Sequence, residues 1–227
     1  MSSTGEMFNR ISGRYDFLNH FFSLGLDRRW RKKLVDGLAR ENPRYILDIA
    51  TGTGDLAIAA CRIKPVKITG VDVAEDMLAI GRKKVAEKGL GHLVELLPGN
   101  SENLPFDEGR FDAAMVSFGV RNFDNLLRGL QEIRRILRDG GSIHILEFAL
   151  PSRFPLRQLY LFYFRNIMPF LGRWISGDRS AYAYLPASVM RFPTGYHFTR
   201  IMEEAGFHDN SFRKLSSGIV MLYRGVK

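Results

Sequence analysis

Tyr45-Ile46-Leu47-Asp48-Ile49-Ala50-Thr51-Gly52-Thr53-Gly54-Asp55-Leu56-Ala57 joins a short apolar run to a glycine loop and then to small apolar residues at helical spacing. A buried strand, a tight turn and a helix start follow from that order. Gly52 and Gly54 allow the backbone to approach a ligand, and Ala57 lets the following helix pack closely on a sheet. The free amides at that helix N-terminus face the same ligand. A second apolar run, residues 67–73, carries Asp72 near its end, 20 residues after Gly52. There it is placed to accept hydrogen bonds from both ribose hydroxyls of a nucleoside. A structural turn alone also gives Gly-x-Gly-x-x-Ala. The strand before it, the helix after it and the spaced acid together point to a nucleotide.

Outward from this loop the pattern alternates. A helix is predicted over 56–63, a strand over 67–73, a helix over 75–90, and strands over 92–100 and 110–119. A helix over 125–141, stopped by Gly140 and Gly141, leads to a fifth strand over 142–149. Strand and helix alternating in this way give parallel βαβ units with helices on both faces. Beyond a long insertion, a helix near 198–205 precedes two strands, 211–216 and 218–226, whose short gap predicts an antiparallel hairpin at the sheet edge. The expectation is an α/β fold in a single domain. Residues 1–43 form a helical lid segment and 44–149 the nucleotide core, 150–197 the substrate-covering insertion, and 198–227 the last helix and hairpin.

The 227 residues carry 45% hydrophobic and 25% charged side chains, a globular balance that excludes disorder as the main state. No run reaches the ~20 apolar residues needed to span a bilayer, and residues 1–16 hold no apolar signal core. The one cysteine, Cys61, excludes an internal disulfide and a multi-cysteine metal site, and no histidine pair has ligand spacing. The reading is a cytoplasmic protein without a metal. The net charge of +9 is concentrated in residues 10–33 and 150–200, both rich in aromatic residues. Basic and aromatic residues together suit single-stranded RNA or an anionic membrane surface. Charge alone does not choose between them.

Two nucleotides fit the loop, NAD and S-adenosylmethionine. Residues 99–122 favour the second: Asn100 and Ser101 follow the third strand, and Leu104-Pro105-Phe106 and Phe111-Asp112 lead into a fourth that ends at Ser117. This resembles the class I S-adenosylmethionine-dependent methyltransferases, with a Rossmann-like, mostly parallel sheet, an antiparallel C-terminal hairpin and a helical insertion after strand five. Tyr15-Asp16-x-x-Asn19-x-x-x-Ser23, Ser117-Phe-Gly-Val-Arg-Asn122 and the terminal Tyr223-Arg-Gly-Val-Lys227 sharpen it. From about Tyr15 to Lys227 the chain resembles the ubiquinone/menaquinone biosynthesis C-methyltransferases. It departs from them at Leu18, usually methionine, at Asp27, usually histidine, and at Thr51, often glycine. A further departure is Arg138-Asp139 before the glycine pair, usually Lys-Pro.

The resemblance implies that Gly52, Thr53 and Gly54 hold the methionine part of S-adenosylmethionine, Asp72 its ribose and Asn100 and Ser101 its adenine side. Ser117 would form the floor below the sulfonium. The implied acceptor is a polyprenyl quinol, demethylmenaquinol first, with the benzoquinol of ubiquinone synthesis as the close alternative. Tyr15, Asn19, Tyr182 and Tyr184 are the substrate-side residues it implies. A quinol ring carbon becomes nucleophilic as a hydroxyl loses its proton. Arg121 and Asn122, just past the fourth strand, are therefore assigned the chemistry, Arg121 to stabilise a phenolate and Asn122 to orient it. A structural pairing of Arg121 with Asp124 is the competing reading. His20 fits a surface histidine better than a general base, and His144, alternating with Ile143 and Ile145, fits a structural role. An RNA methyltransferase lacks support, because neither an Asn/Asp-Pro-Pro-aromatic loop nor a Pro-Cys pair is present. No nucleic-acid partner is expected. A non-catalytic cofactor-binding module would not need the insertion. Its residues 154–174 are too apolar for an exposed loop and too often interrupted by charge to span a bilayer, so a peripheral contact at the inner membrane face is expected.

Overall fold

The computed structural model describes residues 5–7, 9, 10, 12, 13, 20, 23–163, 166 and 179–227, with backbone alone for 179–183. Tyr15 and Asn19 lie outside these residues, as does most of 154–174 beyond Tyr163.

The apolar runs become strands buried on both faces, which is why they read as continuous rather than alternating. In chain order they are β1 (Tyr45–Ile49), β2 (Lys67–Asp72), β3 (Val94–Pro98), β4 (Phe111–Ser117), β5 (Leu137–Phe148), β6 (His208–Leu215) and β7 (Val220–Val226). They form one sheet in the order β3-β2-β1-β4-β5-β7-β6. The first five are parallel, and β7 lies antiparallel to both β5 and β6. The helices are α1 (Leu26–Leu38), α2 (Asp55–Ala60), α3 (Glu75–Glu87), α4 (Leu126–Ile136), α5 (Leu156–Phe162), α6 (Arg179–Arg191) and α7 (Tyr196–Glu204). Tyr182 falls on α6.

Each face of the sheet has its own core. Ile46 and Ile68 pack with Trp30, Leu34 and Leu38 of α1 and Leu78 of α3. Leu47 and Ile49 face the other way, onto Leu130 and Ile133 of α4 and Phe198 and Met202 of α7. Each such side chain contributes roughly 1.5–3 kcal/mol by leaving water. Within the segment expected to be a lid, α1 is therefore a core helix.

Two boundaries differ from the expectation. The fourth helix stops at Ile136, before the glycines, because Leu137 turns extended (φ −76, ψ 143) and is buried beside Phe111 in the β4–β5 ladder. Residues 138–141 then bulge, with Gly140 at φ 73, before pairing resumes at Ala113 and Ser142. In the C-terminal hairpin, the last strand is the inner one and β6 is the edge.

Glu41, in the 3-10 turn Ala39–Glu41 that ends α1, fastens this helix to the sheet. It accepts from Arg224 Nε at 2.7 Å and from the Ser142 hydroxyl, and His144 Nε2 lies 3.3 Å away. Burial pulls the Glu41 carboxyl up, but the bonds from His144, Ser142 and Arg224 prevail and hold it at about 2. Its carboxylate stabilises the fold above the unfolded value of 4.5, and that contribution is lost as pH falls toward 2. Glu41→Gln is accordingly expected to lower the urea midpoint at neutral pH and to flatten its decline between about pH 5 and 2. Urea titrations of both proteins across that range check this, and an unchanged acid slope would refute it.

Candidate active site

The chain leaves β1 toward β2 on one side, while β4 and β5 lie on the other, so the loops after β1 and β4 diverge at the sheet's C-terminal edge. Such a switch point leaves a crevice. Both strands exit through a left-handed residue, Ala50 at φ 52 and Phe118 at φ 60. Between them opens a cavity of about 510 Å³. Of the residues expected to bind ligand, Gly52, Asp72, Asn100, Ser101, Ser117 and Asn122 line it.

The loop after β1 is held from two sides. Gly52, at φ 55, donates its N–H to Asp72 Oδ2 at 2.8 Å, and Ala74 N–H donates to Oδ1 at 2.9 Å. The Asp72 carboxyl is raised above the ordinary range by burial, against the pull of the Ala74 and Gly52 amides. Its carboxylate reaches the cavity with acceptor capacity left over. Beneath the loop, Asp48 is fully buried and accepts from the Thr51 hydroxyl at 2.6 Å. Burial pushes the Asp48 carboxyl up to about 7, opposed by Thr51, the Ala57 amide and Arg31.

Thr53 and Gly54 stand behind the wall instead of lining it. The Thr53 hydroxyl accepts from Lys84 Nζ at 3.0 Å, and the same ammonium reaches Asp55 at 2.7 Å. Gly54, at φ 77, caps α2 in a conformation that a side chain would strain. Asn100 closes a turn by accepting from the Glu102 N–H at 2.9 Å while also facing the cavity.

At the end of β4 the Ser117 hydroxyl is buried and has no hydrogen-bond partner among the described residues. Asn122 accepts from the Tyr184 hydroxyl at 3.0 Å, which joins the α6 segment to the core. The Arg121 guanidinium lies in the wall, not in the cavity. Its partner is Glu147, 2.8 Å away, rather than Asp124, and their side chains are 6% and 0% exposed. The Arg121 amide also donates to Glu147 at 3.3 Å, and its guanidinium bonds the Phe118 carbonyl.

Several lining residues were not singled out from the sequence: Met77, Glu102, Phe118 and Phe123; Asp124, named only as a pairing partner for Arg121, also lines the cavity. Met77 and the two phenylalanines carry no signal that separates a cavity wall from core. Glu147 did carry one, since an acid inside the apolar run 143–149 needs a buried partner. His20 Nδ1 lies 2.7 Å from Asp27 Oδ2, and His144 is buried against Glu41. No group of three metal-ligating side chains occurs among the described residues.

Among solved structures, the fold is similar to that of the [4+2]-cyclase SpnF, with a TM-score of 0.68, 19% identity and coverage of 99% of this chain and 95% of that one. It is also similar to a SAM-dependent methyltransferase of Thermotoga maritima described as a possible histamine N-methyltransferase, with a TM-score of 0.65, 24% identity and 98% and 99% coverage. At these identities the likeness concerns the fold. In sequence the chain is 42% identical over 98% of its length to demethylmenaquinone methyltransferase of Bacteroides fragilis, covering 91% of that protein. The enzyme of the same name from Porphyromonas gingivalis is 43% identical over 97% of this chain and 91% of its own. The ubiquinone/menaquinone biosynthesis C-methyltransferase of a Geobacter species is 41% identical over 100% of this chain and 99% of its own. The model of the ubiE/COQ5 methyltransferase family matches residues 2–227, so a chain with this sheet, this crevice and these end-to-end likenesses belongs to the ubiE/COQ5 methyltransferase family.

Proposed function

We propose that this methyltransferase uses S-adenosylmethionine to methylate a ring carbon of a polyprenyl quinol, with demethylmenaquinol as the acceptor. The reading rests above all on the end-to-end likeness to proteins of that name, at 42–43% identity. The 41% likeness to an enzyme named for both quinones favours the benzoquinol of ubiquinone synthesis as the second reading.

The cavity residues fit the donor. Asp72 offers a carboxylate to the ribose hydroxyls, and Asn100 and Ser101 face the adenine side. At Gly52 a side chain would crowd Met77, with a Cβ 3.3 Å from its Cε, so the backbone is bare where the methionine end approaches. The Thr53 hydroxyl is committed to Lys84, and its role is to hold the loop. The unpartnered Ser117 hydroxyl sits where the sulfonium would lie. When bound, S-adenosylmethionine supplies a methyl group on a cationic sulfur, which makes alignment and exclusion of water the main tasks of the protein. Asn122, fixed by Tyr184, faces the acceptor hydroxyl. Arg121 lies one layer behind, where its pair with Glu147 offers the ionised hydroxyl that activates the ring carbon the positive end of a fixed dipole, not a net charge. One proton is released in all: the hydroxyl proton lost on activation is regained in the product, and the ring proton replaced by methyl is the one that leaves.

A polyprenyl acceptor dissolves in membrane, and the protein must meet it there. Around α5, Phe154, Leu159 and Phe162 are 81%, 61% and 59% exposed, beside exposed Arg153 and Arg157, while Tyr160 turns inward. Apolar rings next to arginines suit an anionic leaflet. No described helix is long and apolar enough to cross a membrane.

Cells lacking the protein are expected to accumulate demethylmenaquinone, read by mass; accumulation of a benzoquinone precursor would select the second reading. Asp72→Ala should weaken S-adenosylmethionine binding by about 1.5–3 kcal/mol in calorimetry, and unchanged affinity would remove the ribose assignment. Replacing Arg121 and Glu147 together by Met and Leu avoids stranding one buried charge. Turnover of that variant should fall about 10²-fold with donor affinity retained, whereas normal turnover would remove Arg121 from the chemistry. Sedimentation with anionic vesicles should capture the wild type at low salt and capture Arg153→Glu/Arg157→Glu less. Salt-insensitive absence of binding would refute the membrane contact.

A further inference from the structure

Phe118 combines three features that its place in the sequence did not announce. Its backbone is left-handed, at φ 60, a conformation that bulky residues rarely adopt and that proteins hold mainly at functional sites. The strain is fixed at both ends. The Phe118 N–H donates to the Leu146 carbonyl at 2.7 Å, and its own carbonyl accepts from the buried Arg121. The next residue, Gly119, passes so close to the first loop that a Cβ there would lie 2.5 Å from that of Ala50.

The ring itself is fixed as firmly. It stacks on Phe148 with centroids 4.3 Å apart and planes 24° from parallel. Trp30 meets both rings edge-on, each at 6.2 Å, and is anchored by its own Nε1–H to Ser216 Oγ at 2.8 Å. Side chains from α1 and β5 therefore set the plane of the ring of a residue that is 8% exposed and lines the cavity beside Ser117 and Asn122. A flat, preorganised aromatic surface loses little entropy when it receives another flat ring.

We infer that Phe118 is the residue that positions the acceptor ring, and that the Trp30–Phe118–Phe148 cluster makes the site favour a fused bicyclic quinol over a single ring. This rests on the quinol reading above. Stacking grows with overlapped area, so a bicyclic acceptor gains more from Phe118 than a monocyclic one. Aromatic pairs of this kind change affinity by roughly two- to tenfold.

The experiment compares wild type, Phe118→Leu, Phe118→Tyr and Phe148→Leu with short-chain naphthoquinol and benzoquinol acceptors, and measures S-adenosylmethionine binding separately. Phe118→Leu is expected to raise KM for the naphthoquinol about fivefold to tenfold and for the benzoquinol about twofold. Donor affinity should stay within about twofold, and Phe118→Tyr should resemble wild type. Phe148→Leu, which backs the ring and also removes the face under the Arg121 guanidinium, should show the same selectivity change in KM at smaller size, read as the ratio between the two quinols, and serves if Phe118→Leu fails to fold. A loss of donor affinity with quinol KM unchanged would put the ring against the donor and overturn the inference, as would equal effects on both quinols. A wild type that methylates neither quinol would instead overturn the quinol reading itself.

Discussion

The Gly52 amide donates to the Asp72 carboxylate across 2.8 Å, and that bond ties the loop after β1 to the end of β2. The same carboxylate lines the cavity, so one side chain both builds the loop and forms part of the cavity wall. Under it lies a layer of charge. Asp27 and Asp55 flank Arg31 at 2.7 and 3.4 Å, and Lys84 joins Asp55 to Thr53. Asp48, with its carboxyl near 7, sits among these groups partly protonated at neutral pH. Two of the four departures from the family pattern, Thr51 and Asp27, fall in this layer, while Arg138-Asp139 lies at the β4–β5 bulge. Thr51 supplies the hydroxyl bonded to Asp48, and Asp27 supplies the acid bonded to Arg31.

The other side of the cavity depends on a different device. Arg121 and Glu147 are an ion pair almost sealed from water, and removing both from solvent costs several kcal/mol per ion before their attraction returns it. Hydrophobic residues of similar volume would hold the same space as well. The pair also bonds the Phe118 carbonyl, and so maintains a backbone conformation that packing alone would relax. Its position beside the crevice gives the cost a purpose that a distant core site would not.

The fold was legible because its signals are local and repeated: five apolar runs, glycines after the first, and an acid at the right distance. The half of the cavity formed by the loops after β1, β2 and β3 shared that legibility, since Gly52, Asp72 and Asn100 lie at strand ends whose loops converge in any open parallel sheet. The other half was legible only in part. Asn122 and Tyr184 were both named, but their mutual bond spans 62 positions and no local pattern encodes it. Arg121 was expected to face substrate; its partner is a strand acid 26 positions on, where sequence spacing suggested the nearer Asp124. Phe118 and Met77 read as core because burial and cavity lining use the same residue types. The stop of α4 failed for a related reason: burial of Leu137 beside Phe111 outweighed the glycines.

Charge shows the same division between local and tertiary information. The basic excess of residues 10–33 looked like one feature, yet along α1 it divides by face. Arg28, Arg29, Lys32 and Lys33 point outward, while Arg31 is buried with the acids beneath the glycine loop. Four of these cations are the solvated side of a core helix and one is structural. Around α5 the arrangement is reversed, with large apolar side chains turned outward beside the arginines. Water does not favour exposing phenylalanine and leucine on a short helix whose inner face already holds a buried tyrosine. The two segments therefore differ in kind despite similar composition: the charge on α1 is the solvated side of a core helix, whereas the charge on α5 stands beside exposed apolar surface.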